Sequence, residues 1–265
     1  MSRKHKETVQ KQFSKTVDAF SKYAVRDSRE ILQEKVAFAK PQASDLALDV
    51  ACGPGGLVLA LAPQVRFARG IDLTEAMLRQ ARAFQAEGGI SNANFDRGDA
   101  EQLPYADATF DLITCQCSLH HMPKPELPVR EMARVVKPQG RVMIIDSIAP
   151  EMDEKFELFN RIERLRDPSH SSALRLTTFL SIFEESRLSV LRQAIKRRTR
   201  SFNQWMIRAG NGPSQKGYQE VRRLVEDSIR GDRAGFSPKI EDDDITIVHN
   251  EAMFLLTPAT AAPND

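Results

Sequence analysis

From Glu7 to about Lys40 the apolar positions recur at helical spacing. Val9, Phe13, Val17 and Phe20 are three or four residues apart, and Ile31, Leu32, Val36 and Phe38 follow more loosely. Tyr23-Ala24-Val25 reads as the joint between two helices, and Pro41 ends the second. Short apolar runs then alternate with helical patterns. Residues 46–51 form a strand, and 57–61 open a helix. Residues 65–71 form a second strand, closing at Asp72. A helix over 74–86 has Thr74 as its N-cap and Gly88-Gly89 as its stop. Asn94-Phe95 begins a third strand and 110–117 is the fourth. A helix over 126–136 leads through a turn at 137–140 to a fifth strand over 141–145, which ends at Asp146.

After Pro150 the alternation loosens. Helices are expected over 152–166, 177–186 and 215–229, and strands over 188–199 and 245–256; 166–172 and 231–244 read as loops, and 257–265 as a frayed tail. Strands separated by helices, without hairpin turns, predict an α/β chain with a doubly wound, mostly parallel sheet. Ligands of such sheets sit beyond the carboxyl ends of the strands. The chain divides as 1–42, N-terminal helices; 43–150, the strand-and-helix core; and 151–265, cap helices and last strands, all in one integrated domain.

Composition narrows this little. The 265 residues are 41% hydrophobic and 28% charged, enough for one sizeable core. A formal net charge of +2 gives no reason to expect nucleic acid. Cys52, Cys115 and Cys117 are too few, and too embedded in apolar runs, for a disulfide framework. The basic N-terminus lacks an apolar signal core, and no run reaches the roughly 18 apolar residues of a membrane span. A soluble cytoplasmic protein is expected.

The stretch LDVACGPGGLVLALA carries the first chemistry. Gly53 and Gly55 fit the start of G-x-G-x-x-G, but Val58 takes the third glycine's place. The lysine of a phosphate loop is absent too. The loop suits close approach to a ligand better than a pyrophosphate cradle. Asp72 closes the second strand, where an acid accepts both ribose hydroxyls. Asp99 follows the third strand and, with the Ala100 backbone, is placed to meet adenine. Two acids for an adenosine, with no cation placed for phosphates, fit S-adenosyl-L-methionine, whose sulfonium suits an acidic, cation-poor cleft.

The motifs LDVACGPGG, GIDLTEAML, RGDAEQLPYADATFDLITC, CSLHHMPKP, REMARVVKPQGRVMIID and RDPSH resemble the class I S-adenosylmethionine-dependent methyltransferases, in the UbiE-like (methyltransferase type 11) small-molecule subgroup. The resemblance runs from about Val9 to Arg208. It implies a Rossmann-like seven-stranded sheet whose last strand is antiparallel and inserted beside the fifth. It also implies that Asp49, Ala51, Gly53 and Gly55 frame the methionine end. Asp72 and Leu73 would hold the ribose, Asp99 and Ala100 the adenine, and Met77 and Cys117 would lie beside the cofactor. Pro54-Gly55-Gly56 departs from the pattern, where a polar residue is common, and should stiffen the turn.

Methyl transfer is an in-line displacement in which the enzyme mainly aligns the acceptor. A base is needed only where the acceptor must lose a proton. His120 and His121 follow the fourth strand and Asp146 closes the fifth. An imidazole oriented by a carboxylate there would make such a base, and hydroxyl-methylating relatives have a His and an Asp at matching places. A packed, loop-capping histidine is the plainer alternative. His170, in RDPSH, is a further candidate, with a loop-ordering cluster of Asp167 and Ser169 as its alternative. Phe13, Phe20 and Tyr23 lie on the helices that, in the family, fold over the acceptor pocket. Trp205 either lines that pocket or packs under it.

Three signals read as inert. The cysteines are core residues rather than an arsenic-type thiolate set. The acids of 241–244 are a solvated run rather than a metal site, so no metal is expected. The basic stretch 192–200 is a charged edge strand. The leading expectation is transfer of a methyl group to a small, fairly apolar acceptor, at a hydroxyl first and a ring carbon second. An RNA or protein methyltransferase, a nicotinamide-dependent dehydrogenase and a non-catalytic partner subunit are the other readings. The expected partner is the small-molecule acceptor, without nucleic acid or a membrane span; a homodimer is an open assembly.

Overall fold

The computed structural model describes residues 1–24, 29–241 and 244–259, with the backbone alone over 19–24 and at 29. Two helices, α1 (Arg3–Ala24) and α2 (Arg29–Ala39), precede the sheet. Residues 25 to 28, where the joint was expected, lie outside the described residues. The alternation then follows as β1 (Leu46–Val50), α3 (Gly56–Leu61), β2 (Phe67–Asp72), α4 (Glu75–Glu87), β3 (Ala93–Arg97), β4 (Phe110–Gln116), α5 (Glu126–Val135) and β5 (Val136–Ser147). The last third supplies α6 (Asp153–Arg166), α7 (Leu176–Glu185), β6 (Leu188–Ser201), α8 (Phe202–Arg208), α9 (Lys216–Asp227), β7 (Lys239–Glu241) and β8 (Asp244–Pro258).

The strands form one sheet in the order β3-β2-β1-β4-β5-β8-β6. Strands β1 to β5 pair in parallel, and β8 inserts antiparallel between β5 and β6. That is the expected arrangement with one addition. The three-residue β7 pairs with β8 inside a stretch read as loop, making eight strands. The sheet order reverses at β1, so a crevice opens between the carboxyl ends of β1 and β4.

One boundary differs. Residues 137–140, read as a turn, lie inside β5. The register passes from Phe110↔Val136 to Leu112↔Arg141. Four residues of β5 therefore face Asp111 alone, and the turn is absorbed as a wide irregularity in a continuous strand.

Two apolar layers cover the sheet. One holds Leu57, Val58 and Leu61 of α3 with Phe95 and Met143, the other Val129 and Met132 of α5 with Phe179 and Phe254. Each such buried side chain contributes about 1.5–3 kcal/mol by leaving water. A third cluster joins α6, α8 and α9 to the near end of β8 through Phe159, Trp205, Tyr218 and Phe236. Helix α1 lies across α4 and α8, and buried Gln12 donates to the Ala209 carbonyl at 2.9 Å. The N-terminal helices and the cap thus close over the carboxyl edge of the sheet. Among the described residues no helix is long and apolar enough to cross a membrane.

Candidate active site

A cleft of about 540 Å3 opens at that edge. It falls within the size range of small-molecule and cofactor sites. Its floor is the glycine loop. Ala51 and Gly53 both take left-handed backbone, with φ of 55° and 53°. A Cβ built on Gly53 would meet nothing within 4 Å, so the backbone there faces open space and a ligand can come close. Gly55 differs. It is buried, with φ of 81°, and a Cβ would come within 2.8 Å of the Phe95 ring. It does not itself line the cleft, and its missing side chain lets the start of α3 settle on the Phe95 ring of β3.

Asp72 ties the loop to the next helix. Its Oδ2 accepts from Gly53 N at 2.9 Å and its Oδ1 from Thr74 N at 2.8 Å. Thr74 holds the N-cap position of α4 without a side-chain cap bond; the Asp72 carboxylate serves that end instead. The Thr74 hydroxyl and the Leu73 amide also act on it as donors. Burial raises the Asp72 pKa, against the pull of those amides. Asp49 lies beneath, outside the cleft lining. It accepts from Thr114 Oγ1 at 2.6 Å, its Oδ2 is buried with no partner, and burial lifts its pKa to about 7.

Leu73, Met77, Asp99, Ala100 and Cys117 all line the cleft. Leu73 is pinned by Gln10, which donates to its carbonyl at 3.0 Å. Asp99 brings a correction. Lys6 of α1 pairs with it, and Lys6 also lies 3.3 Å from Glu101. Lys35, Arg166, Arg197, Arg198, Arg200 and Arg208 line the cleft as well. The cleft is therefore not poor in cations. They arrive from α1, α2, α6, β6 and α8, outside the run of strands and helices that holds the glycine loop, Asp72 and Asp99. The basic stretch of 192–200 is an edge strand, as read, but its last residues face this site.

The histidines gather on the opposite wall. His120 and His121 form a short 3-10 turn after β4, with ring centroids 4.2 Å apart. His120 Nδ1 lies 2.5 Å from Asp146 Oδ1, while Asp146 also accepts from Ser147 N at 2.7 Å. Asp146 is buried and off the cleft lining, so it is a positioning residue. Burial pushes the His120 pKa down, but the adjacent Asp146 carboxylate more than offsets this and the net shift is upward. His121 Nδ1 lies 3.1 Å from Ser169 Oγ, which donates to Asp167 Oδ1 at 2.6 Å. That chain makes Ser169 the acceptor and leaves the proton on His121 Nδ1. Burial and the neighbouring His120 lower the His121 pKa to about 4. The Phe13 ring meets His121 edge-on at 5.0 Å.

His170 lines the cleft but is fixed elsewhere. Its Nε2 lies 3.0 Å from Asn160 Oδ1, and burial drives its pKa to about 2. Its backbone N donates to the Asp167 carbonyl at 3.0 Å, and Ser169 N to the Asp167 carboxylate at 2.8 Å. Trp205 is 3% exposed and does both: it lines the cleft and packs beneath Arg166, whose guanidinium sits 4.7 Å over the ring. The side chains of Phe20 and Tyr23 lie outside the described residues, as do Asp242 and Asp243 of the acidic run. Among the described residues no cluster of His, Cys, Asp or Glu could hold a metal ion.

Sequence reasoning missed a second histidine–carboxylate pair. His249 Nε2 lies 3.0 Å from Glu163 Oε1, and both line the cleft. Burial lowers the His249 pKa despite that partner; Glu163 is held low by His249 and Arg166 in spite of burial. The pair comes from β8 and α6, 86 positions apart, with no local motif to announce it.

The residues present fit an adenosine cofactor. Asp72 lines the cleft, Gly53 faces open space, and a buried Asp49 oxygen lacks a donor beneath the loop. Comparison with known proteins agrees. A methyltransferase-domain family matches residues 42–202. The chain is 34% identical over 214 residues to the uncharacterized methyltransferase YcgJ of Bacillus subtilis, covering 80% of this chain and 83% of that one. The YcgJ crystal structure superposes with a TM-score of 0.80 at 27% identity, over 87% of this chain and 98% of that one. A demethylmenaquinone methyltransferase of Lactobacillus johnsonii is 36% identical over 115 residues, which span 42% of this chain and 47% of the relative. The chain belongs to the methyltransferase-domain family and is a methyltransferase that uses S-adenosyl-L-methionine.

Proposed function

We propose that the protein transfers a methyl group to a hydroxyl of a small acceptor with an apolar body, and that His120 is the base. The observation that carries this reading is a cleft-lining imidazole whose Nδ1 lies 2.5 Å from a buried carboxylate. When bound, the cofactor supplies an electrophilic methyl on a good leaving group. The chain's own part is alignment, exclusion of water and custody of one proton. Alignment alone is worth up to about 7–11 kcal/mol.

His120 suits the proton better than its neighbours. With Nδ1–H directed at Asp146, its Nε2 keeps a lone pair. The upward shift makes it a stronger base than a free imidazole. His121 at about 4 and His170 at about 2 are poor proton acceptors near neutrality. Val9, Phe13, Ile31 and Leu32 of α1 and α2 offer an apolar wall for the acceptor body. The demethylmenaquinone methyltransferase relatives support a quinone- or phenol-like acceptor, and they keep methylation at a ring carbon as the second reading.

The experiment is incubation with carbon-13-methyl-labelled cofactor and a metabolite extract, followed by mass spectrometry and NMR of the labelled product. A methoxy signal is expected. A C-methyl signal would replace the first reading with the second.

A further inference from the structure

We infer that the acceptor also carries an oxyanion, a carboxylate or a phosphate, seated on Arg200 at the β6 side of the cleft. This rests on the methyltransferase reading of the same cleft. Arg166 and Arg198, beside Arg200, already have partners. Arg166 pairs with Glu163 at 3.2 Å and donates to the Trp205 carbonyl at 3.0 Å. Arg198 pairs with Glu34 at 3.0 Å and Glu251 at 3.1 Å. Among the described residues Arg200 has no ion-pair partner, and its Nε is shielded from solvent without a hydrogen bond. A shielded guanidinium donor left unmade is costly, and proteins leave few of them.

The nearby acids do not answer it. Glu251 is committed to Arg198, and Glu163 to His249 and Arg166. Strand register fixes the place. Arg200 faces Ile247 on β8, two residues from His249, and Arg198 faces His249 itself. Arg200 therefore lines the wall next to the His249–Glu163 pair. Lys35 of α2, another cation of the cleft, lies within electrostatic reach of Asp49 under the glycine loop and donates to Gln116 Oε1 at 3.1 Å.

A planar guanidinium takes two oxygens of one carboxylate or phosphate side by side. Such an anchor, remote from the reacting hydroxyl, converts binding energy into alignment. The acceptor class that matches both walls is an apolar or aromatic body with a hydroxyl at one end and an oxyanion at the other.

The test is calorimetric titration of the protein saturated with S-adenosylhomocysteine. The probes are 4-hydroxybenzoate, 4-hydroxyphenyl phosphate and their neutral twin 4-hydroxybenzyl alcohol. At least one anionic probe should bind about tenfold more tightly than the neutral twin, and the stronger of the two names the oxyanion. Arg200→Gln should erase that preference while S-adenosylhomocysteine affinity stays within about twofold. The inference is overturned if no anionic probe outbinds the neutral one, whether or not any binds, or if the preference survives Arg200→Gln. It is overturned too if that variant loses S-adenosylhomocysteine, since Arg200 would then serve the cofactor. Where the methyl goes does not enter the readout, so a C-methyl product would sink the hydroxyl reading and leave this one standing.

Discussion

At the β1 and β2 end of the cleft, Asp72 binds backbone amides with both oxygens, Gly53 N on one and Thr74 N on the other. At the β6 end, polar side chains grip one another: Glu163 with His249 and Arg166, Glu251 with Arg198, Asp146 with His120. The first half is a backbone cradle with acids. The second is a mesh of paired charges that, among the described residues, Arg200 does not join. A cradle of that kind holds one ligand and tolerates little change of shape. A mesh of side chains can be rewritten by substitution, which is how one fold accepts many acceptors.

Substitutions in each half should separate the two. The largest effect belongs to the histidine wall. His120→Asn keeps a donor for Asp146, so no buried charge is stranded. Turnover should fall about 10²–10⁴-fold, with S-adenosylhomocysteine affinity nearly unchanged. Single-turnover kinetics and calorimetry on one preparation check both. If turnover survives, the base is elsewhere or none is needed.

Asp72→Ala should do the reverse. Loss of charge-assisted bonds, each worth about 1.5–3 kcal/mol, weakens cofactor binding by about ten- to a hundredfold. Equilibrium titration reads it, and unchanged affinity would remove Asp72 from the ribose site. Gly55→Ala should cost about 1–3 kcal/mol of stability, because the new methyl meets Phe95. Gly53→Ala, where the Cβ has open space, should act more on cofactor affinity than on packing. Thermal melts with and without S-adenosylhomocysteine would show whether that contrast holds.

The legibility of the two halves differs for the same physical reason. The cradle is local: loop, Asp72 and Asp99 lie within one run of strands and helices, and each side chain's place follows from its position at a strand end. The mesh is not. Arg200 meets its surroundings through antiparallel pairing with β8, nearly 50 residues on in the register. His249 and Glu163 meet across β8 and α6. The alternation of Lys196, Arg198 and Arg200 along one face is visible in the chain, but which side of the sheet that face meets depends on the inserted strand. Lys6 on Asp99 is likewise set by how α1 crosses the cleft.

The central claim is that Asp146 holds His120 as a strengthened base, and the pH dependence of methyl transfer tests it most directly. The base works unprotonated, so the rate should rise with pH. The Asp146 carboxylate raises the His120 pKa, so the midpoint should lie above the 6.5 of an ordinary imidazole. In Asp146→Asn that support is gone, and the midpoint should move to lower pH as the maximal rate falls. A profile with no midpoint between pH 6 and 9, or one that Asp146→Asn leaves in place, would contradict the account.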